Sequence, residues 1–315
     1  MNLIIYMPAL NEEEKIQEVI NNLPTQLDGI AEIKYLVIDD GSTDHTVMMA
    51  KSVGAIVISH CNNRGVGAAF QSAVQFALEN EADILVGIDA DGQFDPDEIP
   101  KLITPILNND ADMVIGNRFS NGRPKYMSIV KFWGNKKITN LINNLSNQKF
   151  RDVSCGFRAY NREALMRLNN FANFTYTHET ILSLVFQGLR VYEQPVHVSY
   201  SPTRKSRVAL SISHYAFQTS KIILRVILDY HPIRIFGTIG GIFIAIGFLF
   251  EFFLFGYYLI AGQFSPYKSA GFIGLGFVTF GMLILIIALI ADMLNRIRLN
   301  QNKILFEIRK SRFSK

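Results

Sequence analysis

The sequence predicts an α/β domain built on a mostly parallel sheet, followed by two membrane-spanning helices. Short apolar runs alternate with helical patterns from Met1 to about Tyr200. Those runs are apolar throughout, which is typical of parallel strands that helices cover on both faces. Two almost uncharged segments, Ile235–Ile260 and Ala270–Ala291, follow near the C-terminus.

Five predicted strands carry the sheet, and a helical pattern follows each of the first four. The strands are Leu3–Met7, Lys34–Asp39, Ala55–His60, Asp83–Asp89 and Asp112–Asn117. Ser42 or Thr43 can cap the helix after the second strand. A last strand is expected within Glu193–Tyr200. Strands that alternate with helices in this way form a parallel sheet.

The two apolar segments are long enough to cross a membrane. As helices they would extend about 39 Å and about 33 Å, and the hydrocarbon core of a bilayer is about 30 Å thick. Lys268 is the one cation in the loop between them, whereas Lys and Arg are frequent before the first segment and after the second. The positive-inside rule therefore predicts a cytoplasmic N-terminal domain and a cytoplasmic C-terminal tail.

Charge and cysteine content narrow the class of protein. The net charge of +4 comes from cations that cluster beside the apolar segments, which indicates a bilayer rather than nucleic acid as the partner. The two cysteines, Cys61 and Cys155, fit a reducing compartment. The N-terminal residues have no basic region, so no signal peptide is expected. These observations predict an integral protein of a bacterial-type inner or plasma membrane.

Polar clusters follow three of the predicted strands. They are Met7–Glu13, Asp39–Asp44 and Asp89–Gln93. Ligands of open parallel sheets bind in the crevice at the carboxyl ends of the strands. The three clusters therefore predict one site, although they are far apart in the sequence.

Three oxygen-bearing side chains alternate after the fourth strand: Asp89, Asp91 and Gln93. Oxygen ligands at this spacing suit Mg²⁺ or Mn²⁺. A turn with helix-capping aspartates is the alternative. Asp95 and Asp97 fit that alternative, because Pro96 suits the first turn of a helix and acids favour a helix N-terminus.

The glycine-rich stretch Asn63–Phe70, "NRGVGAAF", permits two interpretations. It has the small residues of a phosphate-binding loop before a helix, although it is not a complete G-x-G-x-x-G motif. The same small residues also allow a helix to pack closely on the sheet.

Six motifs taken together carry a family resemblance. "PALNEEE", "VIDDGSTD", "NRGVGAAF", "DADGQ", "IGNRF" and "DVSCGFRAY" occur in this order. The chain resembles the family 2 glycosyltransferases, which have the Rossmann-like GT-A fold. With two C-terminal spans it is most similar to the polyprenyl-phosphate glycosyltransferases, the dolichol-phosphate mannose synthase-like group. The resemblance implies a GT-A domain, interfacial amphipathic helices and a transmembrane hairpin.

The resemblance implies a nucleotide diphosphate sugar at the N-terminal strand ends. The residues expected to line the nucleotide are Pro8, Ala9, Leu10, Asn11, Glu12, Asp39, Asp40, Gly65 and Ala90. Relatives often have Tyr where Leu10 stands, so the identity of the base stays open. Asp89 and Asp91, with Gln93 as a third ligand, would hold Mg²⁺ or Mn²⁺ on the diphosphate. A cation there stabilises the charge that grows as the anomeric C–O bond breaks.

The resemblance also implies a lipid monophosphate as the acceptor. This anion needs positioning and charge screening more than a general base. Arg118 and Lys131 match the phosphate-binding positions of the family and, with Asp89 and Asp91, are the catalytic candidates. The family usually has Arg where Lys131 stands, and Lys supplies a point charge but no bidentate fork.

Several further residues match family positions and leave alternatives open. Arg158 either contacts the lipid-phosphate region or forms a structural ion pair. Glu179 falls where related soluble transferases place a base, which a phosphate acceptor does not need. Asp152 either has a similar role or orients its neighbours.

Basic and amphipathic segments lie between the domain and the spans. Three cations match a family loop that closes over the donor, although the glycine of that loop is missing: Arg204, Lys205 and Arg207. A patch for lipid headgroups is the alternative. Leu210–Tyr230 predicts an amphipathic interfacial helix, with core packing as its alternative.

The first span contains two features that bear on assembly. Glu251 is an acid inside a membrane segment, which is a functional hypothesis by default. Gly237 and Gly241 form a G-x-x-x-G pair that would allow close helix packing and favours a homo-oligomer.

The predicted activity is inverting transfer of a hexose, best matched by glucose from UDP-glucose, to polyprenyl phosphate. The alternatives are a GDP-mannose-dependent polyprenyl-phosphate mannosyltransferase and a non-catalytic nucleotide-sugar-binding membrane scaffold. A processive synthase is not expected, because the Q-x-x-R-W motif is absent around the one tryptophan, Trp133. The predicted divisions are a catalytic domain at 1–208, an amphipathic region at 209–233, the spans at 234–293 and a basic tail at 294–315.

Overall fold

A seven-stranded sheet forms the middle of the N-terminal domain. The computed structural model describes residues 1–169, 176–200, 221, 224, 228 and 232–313. The strands are β1 (Asn2–Ala9), β2 (Glu32–Asp39), β3 (Ile56–Ser59), β4 (Ile84–Gly87), β5 (Met113–Asn117), β6 (Arg158–Asn161) and β7 (Val191–Pro195). Their order in the sheet is β3-β2-β1-β4-β6-β5-β7. Every pairing is parallel except those of β6 with β4 and β5, so the mostly parallel sheet is confirmed.

Seven helices of the described chain belong to this domain. They are α1 (Ile16–Asn21), α2 (Thr46–Ser52), α3 (Val66–Glu79), α4 (Ile99–Leu107), α5 (Ile129–Ser146), α6 (Arg162–Arg167) and α7 (Thr177–Phe186). The predicted cap at Ser42 or Thr43 is wrong, because α2 begins only at Thr46. The predicted cap at Asp95 is confirmed, since its side chain accepts from the Asp97 N–H at 3.0 Å before a short 3₁₀ turn.

The central strands are buried because both faces of the sheet are covered. Residues Leu3–Met7 of β1 are at most 1% exposed, and all four residues of β4 are buried. Gly87 ends β4 beside the ring of Tyr6, where an added Cβ atom would lie 2.5 Å from Tyr6 Cε1. A glycine therefore lets the Tyr6 ring lie against the end of the strand that leads to Asp89.

The chain divides into two units, residues 1–223 with 305–315, and residues 224–304. The second unit contains α8 (Pro232–Ala261) and most of α9 (Lys268–Phe313), both long and apolar enough to cross a membrane. The predicted spans lie inside these helices. The predicted loop at 204–207 and most of the predicted helix at 210–230 lie outside the described residues.

The last residues of α9 pack against α6 in the first unit. Arg309 Nη1 donates to the carbonyl oxygens of Met166 and Leu168, at 3.0 Å and 2.5 Å. The guanidinium of Arg167 lies 4.4 Å from the ring centroid of Phe306. The segment predicted only as a basic tail is thus a helix that caps the carboxyl end of α6.

Four glycines bring α8 and α9 into backbone contact, and we call them the glycine seam: Gly240, Gly247, Gly274 and Gly281. A Cβ atom added at Gly247 would lie 2.7 Å from the carbonyl oxygen of Gly274, and one added at Gly281 would lie 2.8 Å from that of Gly240. Small residues at such contacts are typical of packed membrane helices.

The predicted pair does not make this contact. Gly241 has nothing within 4 Å of an added Cβ atom, and Gly237 meets only Ile233 of its own helix. Gly237 and Gly241 therefore lie outside the seam, because neighbouring positions of a helix point to different faces.

We expect Gly247→Leu to lower the stability of the hairpin by about 1–3 kcal/mol, because the larger side chain must force the two backbones apart. Thermal melting of the full chain in lipid nanodiscs measures the change. Gly241→Leu is the matched control, since its side chain enters open space. Equal losses for both variants would contradict the seam.

Candidate functional site

The carboxyl ends of three neighbouring strands meet at one edge of the sheet. Ala9 of β1 is level with Asp39 of β2, and Tyr6 of β1 is level with Gly87 of β4. The clusters that follow these strands, at 10–13, 40–44 and 89–93, therefore emerge side by side. We call this the carboxyl edge.

Strand β5 extends the carboxyl edge to Arg118. Arg158 of β6 pairs with Gly87 on one side and with Ile115 of β5 on the other. Asp89 lies two residues beyond Gly87, and Arg118 lies three beyond Ile115. Because one strand separates β4 from β5, their backbones are about 10 Å apart at Gly87 and Ile115, at about 4.8 Å for each strand step.

The predicted metal ligands lie in the turn after β4. Asp89 and Asp91 are partly exposed, and the Asp91 carboxylate accepts from the Gln93 N–H at 3.1 Å. Gly156 lies beside Asp89, where an added Cβ atom would be 3.3 Å from Oδ1. The missing side chain therefore leaves room next to the carboxylate.

The donor set fits a hard cation that also takes oxygen atoms from a ligand. Among the described residues, no group of three or more His, Cys, Asp or Glu side chains is arranged to hold a metal ion. Two carboxylates are enough for Mg²⁺, which usually keeps several waters and binds through one or two carboxylates plus substrate phosphates. Asp89 and Asp91, with the amide oxygen of Gln93, are the residues that would hold it.

The Asp40 carboxylate organises the glycine-rich loop. It accepts from the N–H groups of Arg64 and Gly65, at 2.9 Å and 2.8 Å, and lies 2.7 Å from His60 Nδ1. The Gly65 N–H is thus already bonded within the protein. The loop fits the close-packing interpretation, because Gly67, Ala68 and the residues after them in α3 are buried.

The other nucleotide candidates form a hydrogen-bonded shelf between β1 and β2. Asn11 Oδ1 accepts from the Thr43 N–H at 2.8 Å, and the Asn11 N–H donates to Ser42 Oγ at 2.9 Å. Asp39 Oδ1 accepts from the Ser42 N–H at 2.9 Å. Pro8, Ala9, Leu10, Glu12 and Ala90 lie along the same edge. The structure thus brings the predicted set together.

Arg118 is held by a bidentate ion pair with Asp152. Arg118 Nε and Nη2 donate to the two carboxylate oxygens at 2.6 Å and 2.9 Å. Burial alone would raise the pKa of Asp152, but the charge and hydrogen bonds of Arg118 outweigh burial and lower it. Asp152 therefore stays ionised and orients its neighbour, one of its two predicted roles.

Two residues that the sequence analysis missed complete the Arg118 environment. Nη2 of Arg118 donates to Ser154 Oγ at 2.8 Å, and Nη1 donates to the Tyr200 hydroxyl at 3.1 Å. Ser154 lies within the motif "DVSCGFRAY", which was a usable signal. No pattern in the sequence pointed to Tyr200, because its contact with Arg118 depends on the path of the chain after β7.

Lys131 lies in the first turn of α5, close to the Arg118 segment. Its N–H donates to Ser128 Oγ, which caps the helix. The rings of Phe119 and Phe132 meet edge to face with centroids 5.3 Å apart. These are the residues next to Arg118 and Lys131, so the two candidate cations lie on segments that touch.

Arg158 corrects one prediction. Its side chain is fully buried in β6, and its guanidinium donates to the carbonyl oxygens of Val153, Cys155 and Thr177 and to Thr180 Oγ1. It does not lie with the lipid-phosphate candidates, because these acceptors hold it in the core. The ion-pair alternative is also wrong, since these partners are backbone and hydroxyl oxygens.

A buried aromatic cluster supports the carboxyl edge from below. The hydroxyls of Tyr6 and Tyr176 are 2.9 Å apart, and Phe70 stacks on Tyr176 with centroids 4.1 Å apart. Burial raises the pKa of both tyrosines, and the negative charge of Asp89 adds to the shift. Both hydroxyls are therefore neutral. No spacing in the sequence pointed to this pair.

Comparisons with known proteins agree with this geometry. Residues 4–168 match the family described as Glycosyl transferase family 2. The chain is 30% identical to the UDP-N-acetylglucosamine–dolichyl-phosphate N-acetylglucosaminyltransferase of Methanococcus voltae, over 65% of this chain and 88% of that protein. It is 29% identical to the dolichyl-phosphate hexose transferase of Haloferax volcanii, over 62% of this chain and 82% of that one.

A more distant relative and a solved structure extend the comparison. The undecaprenyl-phosphate mannosyltransferase of Micrococcus luteus is 26% identical, over 62% of this chain and 83% of that protein. Glucosyl-3-phosphoglycerate synthase of Mycobacterium tuberculosis in complex with UDP superimposes with a TM-score of 0.57 at 22% identity, over 71% of this chain and 79% of that one. The latter likeness confirms the GT-A fold. From its matched domain and its relatives, this chain belongs to glycosyl transferase family 2.

Proposed function

We propose that this chain is a membrane-bound inverting glycosyltransferase that moves a hexose from a nucleotide diphosphate sugar to a polyprenyl phosphate. The observation that carries the proposal is that the segments after β4 and β5, which contain Asp89 and Arg118, leave the same edge of the sheet one strand apart. Such a transfer needs a diphosphate site on one side of the sugar and a phosphate site on the other. The product would be a polyprenyl-monophosphate-sugar.

The donor side of the proposal depends on the turn after β4. Asp89 and Asp91, with Gln93, would hold Mg²⁺ or Mn²⁺ against the diphosphate. When bound, such an ion stabilises the negative charge that grows on the leaving group. The shelf around Asn11 and Asp39 would hold the nucleoside.

The acceptor side depends on Arg118 and Lys131. Asp152 fixes the plane of the Arg118 guanidinium, and the partners in the described chain leave one Nη1 N–H that can donate to a phosphate oxygen. Lys131 adds a point charge from the neighbouring segment. An oxygen of the lipid phosphate would bond to the anomeric carbon while the C–O bond to the diphosphate breaks, and this single displacement inverts the anomer. Because the attacking group is already an anion, Glu179 has no proton to remove.

The names of the relatives agree on the class of acceptor but differ in the sugar. The three relatives named above include dolichyl-phosphate and undecaprenyl-phosphate in their names, but they name N-acetylglucosamine, hexose and mannose respectively. We propose UDP-glucose as the donor. A structure of glucosyl-3-phosphoglycerate synthase, which has a similar fold, contains UDP-glucose and Mn²⁺ and supports this choice. A GDP-mannose donor is the other outcome, which a panel of nucleotide sugars decides.

We also propose that the catalytic domain and the C-terminus face the cytoplasm, on the distribution of cations around α8 and α9. The two native cysteines provide the test. Cys61 is exposed, whereas Cys155 is fully buried and burial raises the pKa of its thiol to about 12. We expect a membrane-impermeant maleimide to label Cys61 in inside-out vesicles and not in intact cells. The reverse pattern would overturn this orientation.

We expect Asp91→Asn to reduce sugar transfer on the order of 10²-fold, because the variant removes charge from the ion that stabilises the leaving diphosphate. Chelation should abolish transfer, and added Mg²⁺ or Mn²⁺ should restore it. The measurement is the formation of labelled lipid from nucleotide sugar and polyprenyl phosphate by the purified full chain.

Asp97→Asn is the matched control for this variant, because Asp97 is an exposed acid of the same stretch that begins the next helix. Full activity in Asp91→Asn or after chelation would contradict the metal site. The scaffold alternative would be supported if nucleotide sugar raised the melting temperature of the chain but was not consumed with any lipid phosphate.

We expect Arg118→Lys to raise the KM for polyprenyl phosphate about tenfold, or about 1.4 kcal/mol, because Lys keeps the charge but loses the planar guanidinium that Asp152 orients. The KM for the nucleotide sugar should stay unchanged. Arg151→Lys is the control, since the Arg151 side chain is exposed and the residue donates to Glu193 through its backbone N–H. An equal rise in both KM values would contradict an acceptor-side role.

A further inference from the structure

The five residues after β7 run between the turn that follows β4 and the end of β5. We call residues 196–200 the linking segment. At its start the Val196 N–H donates to the carbonyl oxygen of Asn117, the last residue of β5, at 3.0 Å. Near its end the Ser199 N–H donates to the carbonyl oxygen of Gln93 at 2.8 Å. The linking segment therefore contacts both sides of the candidate site.

Two further contacts hold the middle of the linking segment beside the turn after β4. Val198 forms an antiparallel bridge with Phe94. The His197 N–H donates to Oε2 of Glu98, a buried acid, at 2.6 Å. Three successive residues of the linking segment are thus bonded to the stretch 93–98, which fixes their register on it.

The linking segment ends at Tyr200, whose hydroxyl accepts from Arg118 Nη1 at 3.1 Å. Burial raises the pKa of Tyr200 although the charge of Arg118 opposes the shift, so the hydroxyl keeps its proton. In the part of the chain that the structure describes, Arg118 is the one hydrogen-bond partner of this hydroxyl. A hydroxyl that accepts from a guanidinium still has its own O–H to donate.

Tyr200 and Arg118 together present two donors at one place. The N–H groups on Nε and Nη2 of Arg118 donate to Asp152 and Ser154, and one N–H on Nη1 donates to Tyr200. The second N–H on Nη1 and the Tyr200 O–H are then left side by side. An anion with several oxygen atoms, such as a phosphate monoester, can accept from both.

We propose that Tyr200 binds the acceptor phosphate beside Arg118, and that the linking segment makes this binding cooperative with binding of the donor. The inference rests on the proposed function, in which Gln93 lies on the donor side and Arg118 on the acceptor side. It adds a residue to the acceptor site and a connection between the two sites.

Gln93 is the residue through which the two sites would be connected. Its side chain is a predicted ligand of the cation, its N–H donates to Asp91 Oδ1 at 3.1 Å, and its carbonyl oxygen holds Ser199. Gln93 would be fixed when it binds a cation with a diphosphate, and it would then fix Ser199 and the neighbouring Tyr200. Binding of the acceptor would cost less ordering of the chain afterwards, which is cooperativity without a large movement.

Binding without reaction tests the connection. The full chain is titrated in nanodiscs with UDP and Mn²⁺ and with polyprenyl phosphate, and GDP replaces UDP if only GDP binds. Neither nucleotide carries a sugar, so no transfer occurs. We expect UDP and Mn²⁺ to lower the Kd for polyprenyl phosphate about fivefold, and polyprenyl phosphate to lower the Kd for UDP by the same factor, because coupling is reciprocal.

Tyr200→Phe keeps the ring and removes the hydroxyl. We expect it to raise the Kd for polyprenyl phosphate about tenfold, because a hydrogen bond to a charged group is lost. It should bring the coupling factor to about one, while the Kd for UDP and Mn²⁺ alone stays unchanged. Tyr192→Phe is the matched control, since it removes the hydroxyl of an exposed tyrosine of β7.

Ser199→Pro separates the connection from the phosphate contact. It removes the N–H that holds the Gln93 carbonyl oxygen and leaves the Tyr200 hydroxyl in place. We expect the coupling to be lost, while the Kd for polyprenyl phosphate without nucleotide stays near that of the wild type. The double variant with Tyr200→Phe should lose no further coupling, because both changes cut one path. Melting temperatures confirm that the variants are folded.

Two results would overturn the proposal. One is a wild-type chain that binds both ligands independently, and the other is a Tyr200→Phe variant with the affinity and coupling of the wild type. Failure of the proposed function would look different, because the wild-type chain would then bind no nucleotide with Mn²⁺ or would form no labelled lipid from any nucleotide sugar.

Discussion

Arg158 brings a positive charge into the core of the N-terminal domain, where its side chain is fully buried. A buried guanidinium is tolerated only when its N–H groups find acceptors. Its acceptors are carbonyl and hydroxyl oxygens of the loop before β6 and of the first turn of α7. That loop also supplies the carboxylate that holds Arg118 and the glycine beside Asp89. The proposed donor and acceptor sides are therefore built around the same charge.

Burial keeps two ionisable groups near Arg158 neutral. Burial, together with the positive charge of Arg158, lowers the pKa of His178 to about 3. Burial raises the pKa of Cys155 to about 12. At neutral pH His178 and Cys155 therefore carry no charge. Ionised groups near the loop are thus concentrated at the carboxyl edge, where Asp152 pairs with Arg118 and Asp89 lies partly exposed.

The sequence predicted the parallel strands and the carboxyl edge because both depend on local patterns. Apolar runs marked the strands, and parallel strands place their carboxyl ends on one side. Strand β6 escaped prediction because its four residues, "RAYN", are too short and polar to stand out, and its insertion between β4 and β5 is a long-range event. Arg158 looked like a ligand residue for the same reason. The glycine seam was missed because the packed face of a helix depends on its partner.

Arg118 and Lys131 contribute different properties to the proposed acceptor side. Asp152 cancels the charge of Arg118 at a distance of 2.6 Å between Nε and Oδ2, so this pair offers a phosphate a fixed geometry but little net attraction. The net attraction for the phosphate must then come from cations that have no acidic residue near them in the sequence. The segment between Asp112 and Asp152, which contains Lys131, has seven cations besides Arg118 and no acid. Opposite charges attract over about 8 Å at physiological ionic strength, so that segment would draw an anionic lipid towards Arg118.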